Sequence, residues 1–186
     1  KLSYFPPFSV QRLGVGSVEP KSYTHSHIES VRFTGGTLSG QTLHFSPELN
    51  ALIGIRGSGK SSVLEVIRYA LDIPFGEKSG DTKYKRKLVE FTLGSGGKVE
   101  IDAVDRYGQR YTVRRVINEM NSEVLIGEKL QPGISIRETV IHKPIYFGQK
   151  DLSSSGKGFE KDLVDKLLGA KLDGLRRSIS VQKVKV

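Results

Sequence analysis

Gly54, Gly59, Lys60 and Ser61 fall on the pattern G-x-x-x-x-G-K-[ST], and that spacing suits one kind of chemistry, the gripping of a polyphosphate. Glycines let consecutive backbone N–H groups turn inward on an anion where a Cβ would intrude. The run Gly54, Arg56, Gly57, Ser58, Gly59, Lys60, Ser61 and Ser62 is therefore the candidate nucleotide cradle. Lys60 places a point charge on the β- and γ-phosphates, and the Ser61 hydroxyl is a Mg²⁺ ligand. ATP and Mg²⁺ are the implied ligands.

Chemistry at such a loop needs a strand to deliver it and a helix to receive it. Leu49, Ala51, Leu52, Ile53 and Ile55 form a short apolar run suited to a buried strand. Val63, Leu64, Val66, Ile67, Ala70 and Leu71 then recur at helical spacing, with Pro74 as a stop. The helix turns its positive N-terminal end on the same anion. Strand, glycine loop and helix follow in the order the motif requires.

The 186 residues suffice for one domain with a core, or most of one. Hydrophobic residues make up 37%, and no apolar run approaches the length of a membrane span. KLSYFPPFSV lacks the apolar stretch of a signal peptide, and the absence of cysteine excludes disulfides and thiolate metal sites. Both suit a cytoplasmic protein. A net charge of +9 favours a polyanionic partner, nucleic acid first.

Residues 1–24 read as an irregular linker or the tail of a preceding domain, punctuated by Pro6, Pro7, Gly14, Gly16 and Pro20. His25 and His27 invite a metal reading, but nothing nearby in sequence completes a ligand set, so a surface segment entering a strand is preferred. Residues 28–33 and 41–45 alternate as a hairpin. Leu38-Ser39-Gly40-Gln41 imitates the LSGGQ signature of ABC-type ATPases but precedes the phosphate loop, so it reads as a turn. Residues 76–87 read as a lysine-rich connection in which Lys83, Lys85, Arg86 and Lys87 cluster around Tyr84. Residues 88–93, 98–104 and 111–117 read as an antiparallel meander with a weaker fourth run at 124–126. Arg110, Arg114 and Arg115 add positive charge there. Residues 140–147 read as a further strand and 159–186 as a helix opening on Leu163, Val164, Leu167 and Leu168.

This order resembles the N-terminal half of an ABC-type ATPase head of the SMC, RecF and double-strand-break-repair kind. GxRGSGKS and YFGQKDL are similar to a subgroup fused behind a PHP-type phosphoesterase domain. The likeness covers residues 25–175 and implies an α/β, mixed α+β P-loop NTPase lobe with an antiparallel meander. It places Gln149 in the Q-loop near Mg²⁺ and the attacking water, so that Lys60 and Gln149 are the catalytic candidates and Ser61 and Gln149 the metal candidates. Arg56 departs from the asparagine most such heads carry. No apolar run ends in Asp-Glu, and no signature helix is present. In the family these come from the C-terminal half, beyond an insertion whose root the 159–186 helix would form. The implied partners are that half, a second head closing across ATP, and nucleic acid with DNA favoured; no membrane is implied. The fragment alone is expected to be inactive. Two other classes stay open: a different P-loop enzyme acting with RNA, although Asn-Lys-x-Asp is absent, and a nucleotide-bound interaction module that senses and does not hydrolyse.

Overall fold

A computed structural model describes residues 23–75 and 81–146, together with the backbone of Ser9–Arg12. It divides into two compact units, Lys1–Pro74 with Asp81–Pro144, and Phe75–Gly80 with Ile145–Val186. Of the second unit only Phe75, Ile145 and Tyr146 are described, so the helix expected over 159–186 lies outside the described residues.

The first unit runs β1 (Ser9–Arg12), β2 (His27–Thr34), a 3₁₀ turn at Gly36–Leu38, β3 (Thr42–His44), β4 (Asn50–Ile53), α1 (Lys60–Ala70) and α2 (Thr82–Leu93). Then come β5 (Lys98–Val104), β6 (Arg110–Val116), β7 (Glu123–Ile126), β8 (Lys129–Leu130) and a π-type turn at Ile136–Val140. Six strands make one antiparallel sheet in the order β3-β2-β5-β6-β7-β8. The mixed α/β class and the meander therefore hold.

Strand alternation decides which side of this sheet faces the helices. Val31 and Phe33 on β2, Val99, Ile101 and Ala103 on β5, and Tyr111 and Val113 on β6 are all buried. They meet Val63, Val66 and Ala70 of α1 and Val89 and Leu93 of α2 in one core. The opposite side is a polar ladder. Asp102 accepts from Ser30 at 2.7 Å, Thr112 at 2.9 Å and the Arg32 guanidinium, while Arg114 pairs with Glu100 at 2.8 Å.

Three sequence expectations fail locally. Residues 88–93 are not a strand but the second half of α2, which also absorbs the lysine-rich stretch read as a connection. The buried positions Lys85, Val89, Thr92 and Leu93 recur at helical spacing, but a lysine opens the stripe and an exposed Phe91 interrupts the reading. Residues 140–146 form no strand either. Lys143 has φ +47°, outside the extended region, and its N–H donates to the Arg137 carbonyl at 2.8 Å. Within the stretch read as irregular, Ser9–Arg12 is extended and pairs antiparallel with β4, Val10 opposite Leu52.

Candidate nucleotide site

Residues 54–59 link β4 to α1, and their backbone is shaped by glycine in two different ways. Gly59 caps α1 in the left-handed region (φ 90°, ψ 4°), and a Cβ there would meet nothing within 4 Å, so conformation rather than space demands the glycine. Gly54 is the reverse case. A Cβ there would come within 2.6 Å of Ser58 Oγ and 3.2 Å of Ser58 Cβ, so close approach demands it. Ser58 is buried, and its N–H donates to the Ile55 carbonyl at 3.3 Å, closing the turn.

Lys60 reaches back over this turn. Its ammonium donates to the Gly54 carbonyl at 2.6 Å, the Ile55 carbonyl at 2.7 Å and Ser58 Oγ at 3.1 Å. Those acceptors are neutral, and no carboxylate pairs with it among the described residues. The positive charge is thus held in place without being neutralised. The first turn of α1 carries no acidic residue and no side-chain cap, which leaves its N–H groups and the positive helix end for an anion. Ser61 is exposed on that turn and Ser62 half-buried. A polyanion fits this cradle. Arg56 is exposed on the rim of the loop.

A family model described as an AAA domain matches residues 27–179, most of the chain. The chain belongs to this AAA domain family. A DNA double-strand break repair Rad50 ATPase from Thermoplasma acidophilum is 29% identical over 119 residues, 59% of this chain and 12% of that protein's length. The chain is accordingly an AAA-type ATPase domain of the SMC and Rad50-like kind, and it spans a small part of the relative it matches.

Beyond the loop, this AAA domain places the other candidates unevenly. Gln149 lies outside the described residues. The basic cluster sits on α2, with Lys83, Arg86 and Lys87 exposed and Lys85 only 6% exposed. Arg114 and Arg115, adjacent in sequence, project to opposite faces of the sheet. Arg114 joins the polar ladder, bonded to Glu100 and 3.7 Å from Glu123. Arg115 points to the helix side, 4.0 Å over the Tyr69 ring, donating to the Tyr69 carbonyl at 2.8 Å and paired with Asp72. It fastens the end of α1 to the sheet, a role that strand alternation implies but charge counting hides.

His25 Nε2 lies 2.8 Å from the Pro47 carbonyl and His27 Nδ1 lies 3.3 Å from the His25 carbonyl. No group of three metal-competent side chains occurs among the described residues. Of three aromatic side chains that could offer a stacking face to adenine, Phe33 is in the core, Phe45 packs against it, and Tyr23 rests edge-on against His25 and His27. No helix among the described residues is long and apolar enough to cross a membrane.

Proposed function

We propose that this chain is the nucleotide-gripping lobe of an ATPase head whose hydrolytic carboxylate and signature loop come from a C-terminal half. The single observation that supports it is Lys60, an unneutralised cation held over a glycine turn at the N-terminus of α1. ATP binds with its phosphates on the amides of residues 57–61 and on Lys60, and Arg56 adds a second cation at the rim. Ser61 supplies one hydroxyl to Mg²⁺, with Gln149 as the further candidate; when bound, the metal neutralises charge on the β- and γ-phosphates. These residues bind and position the nucleotide, with Gln149 as the candidate beside the attacking water, and the carboxylate that polarises that water comes from the C-terminal half.

β4 supports the need for a second half. It pairs with β1 alone among the described residues, and Leu49, Ile53 and Ile55 around it are exposed. An edge strand of this kind seeks another strand. In the full protein two heads close across ATP, and closure is coupled to DNA binding through the exposed Lys83, Arg86 and Lys87, whereas Lys85 is buried, Arg114 is paired with Glu100 and Arg115 is committed to Tyr69 and Asp72.

Titration with a fluorescent ATP analogue tests the first claim: the chain binds, and Lys60→Ala weakens binding about 10–100-fold, the worth of a charge-assisted hydrogen-bond set. The chain alone turns over no ATP. Turnover typical of a complete enzyme, abolished by Lys60→Ala, overturns the split-head reading. DNA affinity of the intact protein that is equal without nucleotide, with ADP and with a non-hydrolysable ATP analogue overturns the coupling.

A further inference from the structure

The outer face of α2 carries features that the fold does not require. Tyr84 is 62% exposed and Phe91 is 66% exposed. Seven residues apart, they lie on one face two turns from each other, about 10.5 Å along the axis. Lys87 stands between them, three residues after Tyr84 and four before Phe91, and Lys83 lies one turn before Lys87 on the same solvent side. The helix already satisfies the core with its other stripe, Lys85, Val89, Thr92 and Leu93.

The lysines differ from the cations of the sheet. Arg32, Arg110, Arg114 and Arg115 all face carboxylates, on Asp102, Glu29, Glu100 and Asp72. Lys83 and Lys87 make no ion pair among the described residues, and Glu90 is the one acid exposed beside them on this helix. Uncompensated ammonium groups alternating with exposed rings are complementary to a strand that is anionic along its backbone and flat-faced at its bases.

We propose that the Lys83–Tyr84–Lys87–Phe91 face of α2 binds unpaired nucleic-acid strand, the rings stacking on bases and the lysines contacting phosphates. This rests on the nucleic-acid coupling proposed above and specifies the strand state that coupling reads. A duplex keeps its base faces stacked inside and engages the lysines alone. An acidic amphipathic peptide needs a groove for its apolar side chains, whereas these rings stand on the convex surface of a helix. Stacking on exposed rings needs no groove and tolerates any base.

The test uses the full chain, fluorescence anisotropy, and a labelled oligothymidylate alongside a blunt duplex of the same length. Tyr84→Ala/Phe91→Ala weakens single-strand binding about 10–100-fold, from the loss of base stacking, and changes duplex binding less than about threefold. Lys83→Gln/Lys87→Gln weakens both polymers and lowers the single-strand salt slope by about 1.4. Unchanged single-strand affinity in the aromatic variant, or an equal loss for strand and duplex, overturns the proposal and leaves nucleotide-gated DNA binding intact. Failure of the wild-type chain to bind either polymer overturns it as well, while a flat nucleotide dependence in the intact protein sinks the coupling itself. A polyglutamate peptide that displaces the strand from the wild-type chain but not from the aromatic variant assigns the face to an acidic protein segment instead. Circular dichroism of each variant matching the wild type confirms that a lost contact, rather than a lost fold, is being read.

Discussion

The three donors of Lys60 meet two carbonyls and one hydroxyl, and that arrangement needs the Ser58 side chain packed directly against Gly54. The dependence gives a prediction about a pair of residues. Gly54→Ala drives a methyl into Ser58, displaces an acceptor of Lys60, and weakens ATP-analogue binding about tenfold, in line with about 1–2 kcal/mol of overpacking. Removing the hydroxyl relieves the nearer clash, so Gly54→Ala/Ser58→Ala binds more tightly than Gly54→Ala alone. Additive losses in that cycle count against a steric origin. Gly59→Ala fails for another reason, since φ 90° is costly for any Cβ, and no second-site truncation restores it. The glycine spacing was legible in the sequence. Which glycine serves space and which serves conformation was not, because both read as the same letter.

At the level of elements, the contrast between Arg114 and Arg115 carries the most. Arg115 binds the last turn of α1 through Tyr69 and Asp72 and the turn before β7 through the Met120 carbonyl at 3.2 Å. Ser122 Oγ adds a bond to the Ala70 carbonyl at 2.8 Å. Arg115→Ala lowers the unfolding free energy by about 2–3 kcal/mol in urea titrations, and Arg115→Lys recovers little because the planar fork is lost. Arg114→Ala, on the solvated face, costs less than about 1 kcal/mol. Equal costs refute this division of the two faces.

On that same face, Asp102 adds a pH dependence. Burial pushes its carboxyl up, but hydrogen bonds from Arg32, Ser30 and Thr112 and the Arg32 charge outweigh burial and hold it below the ordinary carboxylate value. A depressed folded-state pKa stabilises above the unfolded-state value and loses that stabilisation as pH falls through the folded-state one. Asp102→Asn therefore flattens the acid limb of stability below about pH 4, by about 1 kcal/mol after allowing for the 40% exposed Arg32 side chain. The strands of this sheet were readable because their alternation is clean. α2 was not, because Lys85 occupies a core position and Phe91 a solvent one, inverting the polarity that periodicity relies on.

For the whole molecule the decisive feature is where the sheet stops. The six-stranded sheet does not include β4, the strand that carries the phosphate loop, and β4's one partner among the described residues is the four-residue β1. The expectation of a second half rests in the sequence on what it lacks, an apolar run ending in Asp-Glu, more than on any motif it holds. In the structure the matching feature is Ile53, an apolar side chain 52% exposed on β4. If the C-terminal half completes the sheet beside β4, Ile53 becomes an interface residue, and Ile53→Asp places a charge where desolvation is costly. The variant then reduces co-purification of the two halves, co-expressed as separate chains, by at least about tenfold. Its effect on the lobe alone is small, with the thermal midpoint within about 2 °C of wild type, since an exposed site loses little on gaining a charge. ATPase turnover, absent from either half, appears on mixing wild-type halves and is lost with Ile53→Asp. Undiminished assembly of that variant removes β4 from the interface, and turnover by the lobe without its partner removes the need for one.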